Sequence, residues 1–200
     1  HFGIVAATDD EYARLSSLFQ KVFGAHTVTA KPEISAEYRI VRHALNAVKP
    51  FIEAYELGVG SRSVGVPAKI MLADAAAQRA FLRGLFQADG SVRVRKENGR
   101  NSGDVQTLLG SLGIYARISS HDDLREGRTT NHQVTIAYAS ERLKFEQQIG
   151  FVSTQKRQAL RRLNSTVEGK VKAQISEETV VAFELLGQQD VYDIQTSTGR

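Results

Sequence analysis

Phe81-Leu82-Arg83-Gly84-Leu85-Phe86-Gln87-Ala88-Asp89-Gly90 is the stretch on which the fold turns. Its apolar residues read as a helix that closes on an acidic residue followed by a glycine. Glycine is the usual residue just past a helix end, where the backbone turns left-handed. The Asp89 carboxylate then stands at the negative end of the helix dipole, where a cation is ordinarily favoured. A bound divalent metal is one way to compensate that placement. Gly84 and Ala88, four apart, share a face that a second helix could approach closely. Ala-Asp-Gly alone is an ordinary helix terminus; the whole decamer and its surroundings carry the reading further.

Composition bounds what such a segment belongs to. The 200 residues suffice for one substantial domain or two small ones. No apolar run approaches membrane-spanning length, and no signal-peptide pattern opens the chain, so no membrane partner is expected. With no cysteine there is no disulfide and no thiolate metal site, which fits a cytoplasmic, DNA-associated protein. A net charge of +4 and a pI near 9.4 admit nucleic acid as a partner. The chain opens on His1, directly in strand-like sequence, and stops soon after another strand-like stretch; the expectation is a piece of a longer protein.

The sequence reads as one unit used twice. The second copy runs from the quoted helix through a strand at 91–95, a helix at 104–112, strands at 115–119 and 133–138, and a helix at 140–149. The first shows the same order: strand 2–6, helix 11–23, strands 26–31 and 38–43, helix 44–57. It lacks only an opening helix. Leu15, Leu18, Phe19 and Val22 are expected on one helical face, as are Val105, Leu108, Leu109 and Leu112. Gly24 and Gly113 are expected to stop those helices, and Asp74 to cap the quoted one.

The decamer resembles the signature of the LAGLIDADG homing endonucleases, in the form found inside inteins. The resemblance implies an α+β fold of two pseudo-symmetric αββαββα repeats whose signature helices pack together beneath a DNA-binding saddle. Residues 1–72 would be the first repeat without its signature helix, 73–164 the second, and 165–200 a linker with strands of a splicing module. It also implies that Asp89, with Gly90, binds Mg²⁺ beside an acid from the other helix, and that the protein cuts both strands of a long specific site by phosphodiester hydrolysis. A monomer is expected, since both repeats lie in one chain. Asp9 and Asp10 are better explained as helix caps than as substitute metal ligands.

Lys156, six residues after the glycine of Gly150-Phe151, is similar in placement to the family's lysine that steadies the charged transition state. A surface lysine in a basic helix start, with Arg157, Arg161 and Arg162 following, is the alternative. The corresponding position in the first copy is Val64, three residues before Pro67, where family members usually carry a lysine. Nicking or an inactive protein therefore stands beside full double-strand cleavage.

Strand alternation supplies the DNA-facing candidates. Arg93 and Arg95 oppose Val92 and Val94; Arg117 opposes Ala116 and Ile118; Gln133 and Thr135 oppose Val134 and Ile136. In the first copy the cations are Lys31 and Arg39, the latter in alternation with Ile40 and Arg42. Any solvated sheet is polar, but several such faces on a basic repeat protein favour base and phosphate contacts. Lys96 and Arg100 are candidate phosphate contacts.

The tail differs. Residues 180–184 and 190–196 read as two strands. Val191-Tyr192-Asp193-Ile194-Gln195-Thr196 resembles the C-terminal splicing motif of inteins, with Asp193 at its acidic position. The resemblance implies flanking host segments (exteins) as partners; residues 192–199 also resemble inteins of ribonucleotide reductases.

Overall fold

Alternating apolar residues build strand β1 (Phe2–Ala6), in which Phe2, Ile4 and Ala6 are the more buried set. The structure is a computed structural model that describes residues 2–24, 38–55, 57, 66–88, 102–121, 131–166, 180–185, 187, 188 and 190. Helix α1 (Asp9–Phe23) follows, capped by Thr8, whose Oγ1 accepts the Glu11 N–H at 3.2 Å. Asp9 and Asp10 are thus not the cap the sequence led one to expect. They stand in the first turn, where the helix dipole favours carboxylates. The α1 face also differs from expectation. Tyr12, Leu15, Phe19 and Phe23 pack inward, whereas Leu18 and Val22 are exposed. The strands that α1 covers select the Tyr12–Phe23 stripe, because Phe19 stacks on Phe2 and lies beside His43.

Strand β2 (Arg39–His43) pairs antiparallel with β1, Ile4 opposite Val41, and helix α2 (Leu45–Ala54) buries Val48 over the same core. Helix α2 is shorter than the expected 44–57 and carries Pro50 inside it, which removes one backbone donor. These elements close a first apolar cluster around Phe19, Val41 and Val48.

A second, larger cluster gathers Leu82, Leu108, Leu109, Ile114, Phe145, Ile149, Phe151 and Leu160. It is supplied by α4 (Ala75–Ala88), α5 (Ser102–Ser111), α6 (Ala139–Gln148), α7 (Thr154–Ser165) and the residues between them. A short helix, α3 (Ala68–Met71), joins this cluster through Ile70 and Met71, as does Val66 just before it. Each fully buried leucine or isoleucine contributes about 1.5–3 kcal/mol of transfer free energy. Gly24 (φ 76°) and Gly113 (φ 73°) end α1 and the α5 turn in the left-handed backbone their sequence positions predict.

Strands β3 (Arg117–His121) and β4 (Asn131–Thr135) form an antiparallel pair, displaced by two residues or so from the expected 115–119 and 133–138. Buried Ile114 and Ala116 anchor the chain before β3, while Tyr138 already serves as the N-cap position of α6. The observed orders β1–α1–β2–α2 and α5–β3–β4–α6 follow the expected sequence of elements. The strands expected at 26–31 and 91–95 lie outside the described residues, as does most of the one at 190–196. The strand expected at 180–184 is not formed: Val180, Val181, Phe183 and Leu185 are exposed, and no described strand pairs with them to satisfy their backbone groups. Among the described residues no helix is long and apolar enough to cross a membrane.

Candidate functional site

Helix α4 begins where the sequence placed it, with Asp74 Oδ1 accepting the Ala77 N–H at 2.8 Å. Its inward face carries Gln78 and Leu82, with Phe81, Leu85 and Phe86 partly buried against the second core. The opposite face is a row of small residues at i+4 spacing, Ala76, Ala80, Gly84 and Ala88, all exposed. A Cβ placed on Gly84 would meet nothing within 4 Å. The close-approach face inferred from Gly84 and Ala88 therefore exists and is open among the described residues.

The C-terminal end of α4 is where candidate chemistry gathers. Lys156 Nζ donates to the Gln87 carbonyl at 2.6 Å and to the Phe86 carbonyl at 3.4 Å, and stands 5.7 Å from the centre of the Phe151 ring. These carbonyls belong to the last helical turn and carry the negative end of the dipole, so an ammonium is favoured there. A cation at the α4 end was inferred as a metal; the structure places the Lys156 ammonium there. Asp89 and Gly90, the expected metal ligands, follow Ala88 in sequence but lie outside the described residues. No group of three metal-ligating side chains occurs among the described residues.

Lys156 is delivered by the start of α7, where Ser153 Oγ caps the Lys156 N–H at 3.2 Å and Gly150 (φ 63°) turns the chain out of α6. Gln87 ties that start to α4: its Oε1 accepts the Val152 and Ser153 N–H groups, each at 3.0 Å, while its Nε2 donates to Glu11 Oε1 at 2.5 Å. Asp10 makes a second tie, accepting the Thr154 N–H at 3.1 Å and its hydroxyl at 2.7 Å. Those two hydrogen bonds hold the Asp10 carboxyl below the usual aspartate range. Asp10 is thus engaged in joining α1 to α7. Glu11, Gln87 and Thr154 were not singled out from sequence. The available signal was Thr8-Asp9-Asp10-Glu11, a capping-box spacing whose glutamate accepts the Ala7 N–H and also reaches Gln87 on α4.

On the β3–β4 pair, Arg117 stands opposite Thr135 and Ser119 opposite Gln133, so three expected DNA contacts share one face. Val134 and Ile136 pack toward the second core, as their alternation requires. Arg39 is placed differently from an open DNA-facing cation. It lies on the β2 face of buried Val41 and His43, and its Nη2 meets Asp9 Oδ1 at 2.7 Å beside the Tyr12 ring. Lys31, Arg93, Arg95, Lys96, Arg100, Val64 and Asp193 lie outside the described residues.

Comparison with known proteins adds two kinds of finding. Over 147 residues the chain is 29% identical to the replicative DNA helicase DnaB of Synechocystis sp., covering 67% of this chain and 17% of the helicase. Over 170 residues it is 29% identical to the replicative DNA helicase DnaB of Rhodothermus marinus, covering 73% of this chain and 18% of the relative. The chain therefore spans less than a fifth of the length of these curated relatives. Residues 76–150, from α4 to the end of α6, match the family model described as a LAGLIDADG-like domain, and their helices and small sheet are consistent with an α+β fold of that kind.

Proposed function

We propose that this chain is the DNA-cleaving region of an intein, a site-specific double-strand endonuclease that hydrolyses phosphodiester bonds with Mg²⁺. The observation that carries the reading is Lys156 Nζ held on the last carbonyls of α4, immediately before Asp89 in the chain. The Asp89 carboxylate and Gly90 carbonyl are all-oxygen donors in a chain without cysteine, the donor chemistry that suits a hard cation such as Mg²⁺. Bound there, Mg²⁺ supplies positive charge to the phosphodiester under attack. Lys156 adds a fixed ammonium that stabilises the charge developing on phosphate oxygens. Arg117, Gln133 and Thr135 grip and read the duplex from the β3–β4 face. The open small-residue face of α4 suits close packing against the signature helix of the other repeat, which would bring the second acid to the same end.

Matching both a LAGLIDADG-like domain and a minor stretch of a long helicase supports an element carried inside a host protein. The exteins are then the flanking host segments, and residues 165–200, with Asp193, belong to the splicing module. A second reading, a DNA-binding module that cleaves one strand or none, is favoured by Val64 in the register where another lysine is expected.

Incubation with a randomised duplex library in Mg²⁺, followed by sequencing of the cut ends, tests the reading. The expected result is one long site cut in both strands, with Asp89→Asn abolishing cutting and Lys156→Ala slowing it, DNA affinity nearly unchanged in both. Binding without cutting would establish the second reading. Absence of salt-sensitive DNA binding would remove both.

A further inference from the structure

The first turn of α1 reaches across the molecule to the end of α4. Glu11 is buried, at 7% exposure, and a buried carboxylate requires partners. Among the described residues these are the Ala7 N–H at 2.7 Å on Oε2 and the Gln87 amide at 2.5 Å on Oε1. With Nε2 turned to Glu11, Gln87 presents Oε1 to the Val152 and Ser153 N–H groups. The reverse flip would set a carbonyl against a carboxylate and an NH₂ against two donors, so the arrangement is fixed in sense. Gln87 is then held at three points, because its main-chain carbonyl also accepts Lys156 Nζ.

We propose that Glu11 and Gln87 are positioning residues for the Lys156 site. Glu11 fixes the orientation of the Gln87 amide, and Gln87 in turn sets the distance between the end of α4 and the segment 152–156 that carries the lysine. The geometry stands on its own contacts; its catalytic consequence rests on the endonuclease reading above. Asp10, bonded to Thr154, braces the same junction from the exposed side. The first turn of α1 thereby braces a site built on the second cluster, through contacts 76 and 144 residues apart in sequence.

NMR on the intact chain without DNA tests the geometry. Slowed exchange of the Val152 and Ser153 amide protons and of the Lys156 ammonium is expected in the parent and in Glu11→Gln, whose one carbonyl keeps the Gln87 amide and gives up the Ala7 N–H. Glu11→Ala should lose that protection. In single-turnover cleavage of the selected duplex with Mg²⁺, Glu11→Ala should be slower by on the order of tenfold to a hundredfold at unchanged DNA affinity, and Glu11→Gln should restore the rate. Should Glu11→Ala fail to fold, Gln87→Met replaces it with the same expectations. Unchanged protection of Val152 and Ser153 in the alanine variant overturns the proposal. So does a rate that falls only in step with affinity and folded fraction. If the parent cuts no duplex, the endonuclease reading fails, while the exchange measurement still decides whether Glu11 positions Lys156.

Discussion

Gly84→Ala should stabilise this chain. Gly84 lies inside α4 (Ala75–Ala88), and a methyl group added to it would meet no atom of the described residues within 4 Å. Only the backbone term then remains. Glycine in a helix interior is about 0.8–1 kcal/mol less favourable than alanine, chiefly because its unfolded chain has more freedom to lose. With no contact to offset that gain, urea unfolding should give a stability higher by about 0.8–1 kcal/mol at unchanged slope. For a chain of this size that corresponds to a midpoint higher by roughly 2–4 °C. The assay is equilibrium unfolding at widely separated protein concentrations, so that self-association through the small-residue face would be visible. A loss of stability, or a midpoint of the parent that depends on concentration, would refute the reasoning, because it would mean that another surface already lies against Gly84. Gly84→Leu extends the test: the open face accepts it in this chain, whereas a protein with a second helix packed there should lose stability and cleavage.

Leu82→Ala, on the opposite face of α4, removes a fully buried side chain of the second core and should cost about 3–5 kcal/mol in the same unfolding assay. Glu141 governs acid sensitivity near α6. Burial alone would raise its carboxyl, but hydrogen bonds from Lys144 Nζ and the Tyr115 N–H outweigh it and hold it below the ordinary 4.5. A lowered folded value means that its contribution is present above the unfolded-state value and is lost as pH falls through the folded one. A pH series of unfolding midpoints should therefore decline below about pH 4.5 in the parent and decline less in Glu141→Gln. For DNA, Gln133→Ala should cost about 1–3 kcal/mol of discrimination at one base position of the selected site. If Arg117 holds a phosphate, Arg117→Ala should instead weaken all duplexes alike and flatten the salt dependence, read by fluorescence anisotropy.

Much of the fold was legible because its signals are local. Asp74 and Gly113 punctuate helices through their own backbone chemistry, and Val105, Leu108 and Leu109 mark a buried face by spacing alone. The face of α1 was misread for a physical reason. Leu18 and Val22 satisfy helical periodicity as well as Tyr12 and Phe23 do, and only the strands beneath decide which stripe is covered. Residues 180–184 have strand composition, yet among the described residues no strand pairs with them. That Arg117, Gln133 and Thr135 share one strand face was legible from alternation, whereas the contact of Lys156 with the end of α4 is tertiary and had no local signal. The surroundings of Arg39 were not legible, because only the fold shows that it shares a face with buried Val41 and His43 and meets Asp9 on α1. The Glu11–Gln87 bridge could not be read at all, since it joins positions 76 residues apart through side chains that each look ordinary in their own helix.

The proposed hydrolytic centre lies at the end of α4 beside Lys156. Iron-directed cleavage measures that directly: Fe²⁺ is bound in place of Mg²⁺, ascorbate and peroxide generate radicals at the metal, and the cut peptides are mapped. Backbone cuts confined to the neighbourhood of Gln87–Gly90 and of Lys156, suppressed by excess Mg²⁺ and absent in Asp89→Asn, are the predicted result. Cuts elsewhere in the chain, or cuts near Gln87 that survive Asp89→Asn, would contradict it.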